Sequence, residues 1–183
     1  MPFASRAGQK LDHALATFNL DVTALTCADL GSNVGGFVDC LLHRGAAKVY
    51  AVEKGYGVVE WRLRKDPRVV VMERTNAMHV QLPEPVDLVT IDVAWTRQKN
   101  ILPAAKRLLA PTGHVVTLIK PHYEAPPAQL KKGILPESEL DAVIATVQHD
   151  IAAAGFTLHA TTRSPIVGGE GNIEVLALLH PTP

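Results

Sequence analysis

Four charged residues stand in places where apolar residues would be expected. Lys120 follows Val115-Val116-Thr117-Leu118-Ile119, a run with the composition of a buried strand, and Pro121 ends it at once. A lysine is almost never fully buried without a partner. Asp92 closes a second apolar run, "VDLVTID", Lys10 falls inside an amphipathic N-terminal segment, and Glu174 opens the apolar "EVLALL". Taken singly, each fits a structural ion pair or a solvated strand end. Taken together, two amines and two carboxylates can hold and move a proton. A lysine acts as a base when desolvation and a second nearby cation push its pKa toward neutrality.

A second group of residues lies in "ADLGSNVGGF", which follows the first apolar run and opens a helix. Such a strand-to-helix loop is where a doubly wound sheet binds nucleotide-like ligands. Its spacing, Asp29-x-Gly31-x-x-x-Gly35-Gly36, is neither the G-x-G-x-x-G of dinucleotide folds nor a phosphate-gripping P-loop. Glu53, at the end of the second strand, is placed to accept hydrogen bonds from two ribose hydroxyls. The acidic loop followed by this acid resembles the S-adenosyl-L-methionine site of Rossmann-type methyltransferases, whose cofactor carries a sulfonium and an amine but no phosphate. The resemblance implies cofactor contacts from Asp29, Gly31, Ser32, Asn33, Gly35, Gly36, Phe37 and Glu53. Thr75 and Asn76, after the third strand, would hold the adenine, and Asp92 would lie beside the methyl group.

The elements that must position these residues alternate. "SRAGQKLDHALATF" places Leu11, Ala14, Leu15 and Phe18 at helical spacing after a Ser5 start signal, so residues 1–20 are expected to hold a helix carrying Lys10. "CADLG" is a strand and "FVDCLLHRG" a helix closed by Gly45. "AKVYAVE" is a strand, and "VVEWRLRK" a short helix ending before Pro67. "RVVVME" and "VDLVTID" are strands, and "NILPAAKRLLAPTG" is a helix stopped by the Pro-Thr-Gly turn. A strand over 114–119 and a proline-containing loop follow. The helix "PESELDAVIATVQHDIAAAG" presents Leu140, Val143, Ile144, Val147 and Ile151 on one face and ends at Gly155. "FTLHATTRS" and "NIEVLALLH" are the last strands. Apolar strands alternating with helices predict an α/β fold whose sheet is mostly parallel and covered on both faces. The last two of its seven strands lack a helix between them and are expected as an antiparallel edge pair. Neither a repeat nor a long linker divides residues 1–183, so one domain is expected.

Composition narrows the function. The chain has 183 residues, 47% hydrophobic, enough for one substantial core. The longest apolar runs fall well short of a bilayer span, and no basic-then-apolar leader opens the chain, so a cytoplasmic protein without membrane contact is expected. Cys27 and Cys40 lack metal-ligand spacing and read as free core thiols. Net charge is zero, yet residues 1–132 hold 17 Lys+Arg against 12 Asp+Glu, and residues 133–183 hold one Arg against six acids. A basic face is therefore expected on one side.

The order Lys10–Asp92–Lys120–Glu174 resembles the catalytic tetrad of the FtsJ-type ribose 2′-O-methyltransferases. The wording of "SRAGQKL", "GGFVDCLL", "GAAKVYAVEKGYG", "DPRV", "ERTN", "IDVAW", "LIKPHYE" and "GNIE" is closest to the haemolysin A (TlyA) branch. The resemblance implies a class I methyltransferase fold, S-adenosyl-L-methionine as cofactor and RNA as substrate, with ribosomal RNA or a ribosomal subunit expected. It makes Lys120 the base, Lys10 its like-charged neighbour, Asp92 the holder of Lys120, and Glu174 the support of Lys10 or the ribose. No metal is implied. The branch usually carries an N-terminal S4-like RNA-binding domain. This chain begins close to the Lys10 helix, so a recruiting protein is expected in its place. "GSNVGG" and "EKGYG" replace the commoner "GASTGG" and "DVGYG", and "VAW" replaces "VSF". That last change makes Trp95 a candidate base-stacking platform. Arg62, Arg64 and Lys65 in "WRLRKDPR", and Lys131 and Lys132 in "LKKG", are expected phosphate contacts. The competing readings are a small-molecule or protein methyltransferase on the same fold, and a non-catalytic cofactor-binding RNA or assembly factor.

Overall fold

Seven strands form one sheet in the order β3-β2-β1-β4-β5-β7-β6 in the computed structural model, which describes residues 3–168 and 171–182. β1 (Thr26–Leu30), β2 (Lys48–Val52), β3 (Val69–Met72), β4 (Val86–Ile91) and β5 (Leu109–Ile119) are parallel. β7 (Val175–Pro181) runs antiparallel between β5 and β6 (Phe156–Arg163), the expected edge pair. The strand order reverses between β1 and β4, so the loops leaving them part and open a crevice at their C-terminal ends.

Side chains along β5 alternate between two cores, as strand geometry requires. Val116 and Leu118 join Leu11 and Leu15 of α1 (Ala7–Thr17) and Phe37 and Leu41 of α2 (Gly36–His43). Val115 and Ile119 join Ile101 and Leu102 of α4 (Gln98–Leu108) and Val147 and Ile151 of α6 (Glu137–Ala153). Both faces are thus covered, which is why the strands read as continuous apolar runs. Cys27 and Cys40 are buried free thiols, each pushed up to about 12 by burial.

Gly36 sets the distance between α1 and α2. A Cβ there would lie 2.2 Å from Ser5 Oγ and 3.0 Å from Gly8 N, so only glycine allows the N-terminal ends of the two helices to meet. That contact carries Lys10 over the start of β7.

Local expectations changed in three places. α3 (Trp61–Lys65) is shorter than the helix expected over 58–65, because the amides of Val58 and Val59 donate to Glu73 Oε1 at 2.9 and 3.2 Å and are drawn into a loop. β5 begins at Leu109 rather than 114. Leu109 pairs with Val86 before the register jumps to His114 opposite Leu88, so Pro-Thr-Gly forms a bulge inside the strand. After Lys120 a four-residue helix, α5 (Pro121–Glu124), stands where a loop was expected, with Pro121 in the first turn where its missing N–H is harmless. Residues 1 and 2 of the expected N-terminal segment lie outside the described residues.

Candidate active site

Asp92 directly follows β4 and Lys120 directly follows the neighbouring β5, so the sheet brings both to one edge. Lys120 Nζ forms an ion pair with Asp92 Oδ1 at 2.6 Å and donates to the carbonyl of Val93 at 3.1 Å. Lys10, on α1, forms an ion pair with Glu174, which immediately precedes β7 and is 4% exposed. Gly168 packs against that carboxylate so closely that a Cβ would lie 2.8 Å from Glu174 Oε1. The four residues come from four separate elements and line one pocket of about 350 Å³.

A larger cavity of about 550 Å³ adjoins it, bounded by Gly31, Asn33, Glu53, Thr75, Asn76 and Asp92. Gly31, at φ +86°, packs on the backbone of Asp92, where a Cβ would lie 2.7 Å from the carbonyl oxygen. Glu53 accepts the amides of Asn33 at 2.8 Å and Gly55 at 2.7 Å, so its carboxylate is fixed between two loops. Asn76 caps its own turn through the amide of Met78 at 3.0 Å, and the Thr75 hydroxyl donates to the Glu73 carbonyl at 3.1 Å. A small cavity behind the loop is bordered by Asp29, Ser32, Gly36 and Phe37. Gly35 has a packing reason as well, since a Cβ there would lie 2.2 Å from Leu63 Cδ1.

Asp29 is fully buried. Its Oδ1 accepts the Thr90 hydroxyl at 2.7 Å, while Oδ2 is buried with no hydrogen-bond partner. Burial, the largest influence, pushes its pKa up to about 7, against the opposing hydrogen bond from Thr90. An orphaned acceptor behind a glycine loop suits a ligand that brings a cationic donor. With the cavity in front, this chain's residues fit S-adenosyl-L-methionine.

The basic residues divide. Arg62 is bidentate on the buried Asp39, and Arg64 pairs with Glu73 and donates to the carbonyl of Val59 at 2.8 Å. Arg64 is the main reason the Glu73 carboxyl is held down at about 2. Lys65 lies 4.7 Å over the ring of Trp61. Lys131 and Lys132 are exposed on a tight hairpin closed by reciprocal backbone bonds between Lys131 and Ile134, with positive φ at Lys132 and Gly133.

Three residues of the Lys120 pocket, His122, Tyr123 and Asn172, went unassigned in the sequence. Asn172, 2% exposed, accepts the amide of Leu135 at 3.0 Å and donates to the carbonyl of Gly133 at 3.0 Å, tying the lysine hairpin to the wall of the pocket. Tyr123 stacks on Trp95 with centroids 4.9 Å apart. The only traces of the three were the motifs "GNIE" and "LIKPHYE" that contain them.

This sheet order, with its antiparallel edge pair, is the fold of Rossmann-like S-adenosylmethionine-dependent methyltransferases. The FtsJ-like methyltransferase profile matches residues 3–180. The chain is 41% identical to the Bacillus subtilis protein YqxC, over 97% of this chain and 66% of that one. It is 37% identical to the 16S/23S rRNA (cytidine-2′-O)-methyltransferase TlyA of Mycobacterium tuberculosis, over 97% and 68%. A solved chain titled a hemolysin, from Streptococcus thermophilus, superposes with a TM-score of 0.96 at 40% identity, covering 100% of this chain and 68% of that one. The chain therefore belongs to the FtsJ-like methyltransferase family. It spans about two thirds of the length of these curated relatives.

Proposed function

We propose that this chain, acting as one methyltransferase domain, methylates a ribose 2′-hydroxyl of RNA from S-adenosyl-L-methionine, with ribosomal RNA in the cytoplasm as the substrate. The observation that carries the reading is the meeting of the two cavities: Asp92 and Trp95 border both, and the Lys120–Asp92 ion pair stands at the junction. The naming of the tuberculosis relative for 16S/23S rRNA cytidine 2′-O-methylation supports the same substrate.

S-adenosyl-L-methionine supplies an electrophilic methyl group. Asp29, the glycine loop and Glu53 would hold its polar ends, and Thr75 and Asn76 would border its base. Lys120 takes the proton of the 2′-hydroxyl as oxygen attacks, and Asp92 fixes the amine in place. Lys10, held by Glu174, orients the ribose. Alignment of the attacking oxygen with the methyl donor supplies much of the rate. Arg62 and Arg64 are already paired with carboxylates, so we assign phosphate contacts to Lys65, Lys131 and Lys132, and base stacking to Trp95. A recruiting protein would add RNA surface beyond this domain.

The test is methyl transfer from labelled cofactor to ribosomal subunits and to stripped ribosomal RNA. Wild type is expected to label RNA in a product whose ribose resists alkaline cleavage. Lys120→Ala should lose about 10²-fold or more while still binding cofactor. Full activity in Lys120→Ala would remove Lys120 as the base.

A further inference from the structure

Trp95 is the most exposed large apolar residue described, 84% accessible, and its backbone sits in the left-handed region at φ +56°. A bulky aromatic rarely adopts that conformation, and such strain persists where the surroundings hold it in place, typically at functional sites. Its described ring partner is Tyr123, at 4.9 Å between centroids and 27° between planes. The two rings come from different loops. Trp95 follows β4 by way of Asp92, and Tyr123 lies on α5, three residues past Lys120.

Both loops are braced from below. Glu124 Oε1 accepts the amide of Gln98 at 2.8 Å, which ties α5 to the first turn of α4 just beyond the Trp95 loop. The Gln98 side chain, itself 2% exposed, accepts the Thr117 hydroxyl at 2.8 Å. The bases of the two jaws are therefore fixed to each other and to β5, while the Trp95 ring projects into solvent. Beneath them Lys120 Nζ lies 5.8 Å from the Tyr123 ring centroid. Trp95 and Tyr123 line the same pocket as the two lysines and two carboxylates.

We propose that Trp95 and Tyr123 are the two jaws of a nucleobase clamp, which takes the base of the reacting nucleotide between them and sets its ribose over Lys120. The inference rests on the RNA reading above and adds Tyr123 to it as a substrate-positioning residue. In the unliganded protein the rings stack on each other. A planar base inserted between them replaces one ring–ring stack with two base–ring stacks, so entry restores the apolar contact it disrupts. Stacking on a π-face tolerates any base. The clamp thus selects a nucleotide that can leave its helix, and the identity of the base is left to other contacts.

The chain has two tryptophans, so Trp61→Phe leaves Trp95 as the sole reporter. On that background, Trp95 emission is titrated with an octamer of cytidylate and with an octamer of abasic ribose bearing the same phosphates. The cytidylate octamer should quench Trp95 and bind about tenfold more tightly than the abasic one. Tyr123→Ala should remove most of that difference and Tyr123→Phe should retain it. Tyr123→Leu serves if the alanine variant fails to fold. In methyl transfer to ribosomal RNA, Tyr123→Ala should raise KM far more than it lowers kcat. Equal binding of the two octamers, or a Tyr123→Ala variant unchanged in both assays, overturns the clamp. Base-dependent quenching by a wild type that methylates no RNA would uphold the clamp and sink the reaction. Methylation with an indifferent Tyr123 would do the reverse.

Discussion

Asp29 shows at a single residue how the fold gives up stability to bind. Burial raises its pKa from 3.8 to about 7. A carboxyl with a raised folded pKa binds its proton more tightly in the native state than in the unfolded chain. Stability is then full below the unfolded value and falls as pH rises toward the folded one. The protein without cofactor should therefore lose stability between about pH 4 and pH 7 through this residue, and Asp29→Asn should flatten that part of the melting profile. Binding carries the opposite sign. If the cofactor's amino group pairs with ionised Asp29, affinity should rise with pH up to about 7, approaching tenfold per unit. Titrations between pH 5.5 and 7.5 stay below the usual range of an α-amino group, so the carboxyl dominates the change. Asp29→Asn should bind more weakly and without pH dependence. An unchanged slope in that variant would separate Asp29 from the amino group.

At the scale of elements, the site depends on how closely loops and helices approach one another. Asn172 joins the Lys131–Ile134 hairpin to the residues leading into Glu174, so Asn172→Ala should release the hairpin while leaving the Lys120–Asp92 pair intact. Amides of 131–135 should then exchange faster, with KM for RNA rising more than kcat falls. Equal losses in both would place Asn172 in the chemistry instead. Gly36→Ala acts on the other wall. Its Cβ would meet Ser5 Oγ at 2.2 Å, so α1 must shift, and Lys10 with it. Activity should fall well before melting temperature does. The sheet, its edge pair and most helices were legible in the sequence because strands covered on both faces are apolar throughout, and a charge ending such a strand stands out. Lys120 and Asp92 were legible for that reason, and Lys10 and Glu174 chiefly through resemblance. The short α3, the bulge in β5, the Asn172 tether and the Trp95–Tyr123 stack were not. Each depends on a side chain or backbone group meeting a partner distant in sequence, which leaves no periodic trace.

For the molecule as a whole, zero net charge hides a polar arrangement. Parallel strands end on one edge, so the loops after β2, β3, β4 and β5 gather there. Lys54 and Lys120 line the two cavities, and Arg74, Arg97, Lys131 and Lys132 lie in the loops that follow β3, β4 and β5 on that edge. Arg74, in the loop after β3, lies 4.2 Å over the exposed ring of Tyr56, pairing a cation with a stacking face. Glu137, Glu139, Asp141 and Asp150 ride on α6, which packs on a flat of the sheet. Phosphates should therefore be met at the rim, and the acids of α6 should turn RNA away from that flank. Each phosphate neutralised on a single strand contributes about 0.7 to the slope of log affinity against log salt. Changing Lys54, Arg74, Lys131 and Lys132 to Gln should make the slope shallower by about 3 for single-stranded RNA, if all four touch phosphate. Changing Lys48 and Arg68, at the opposite edge and paired with Glu84 and Asp66, should leave it unchanged. A rim variant with the wild-type slope would mean that these four residues touch no phosphate, and that Lys65 and other cations of the domain carry the electrostatic part of binding.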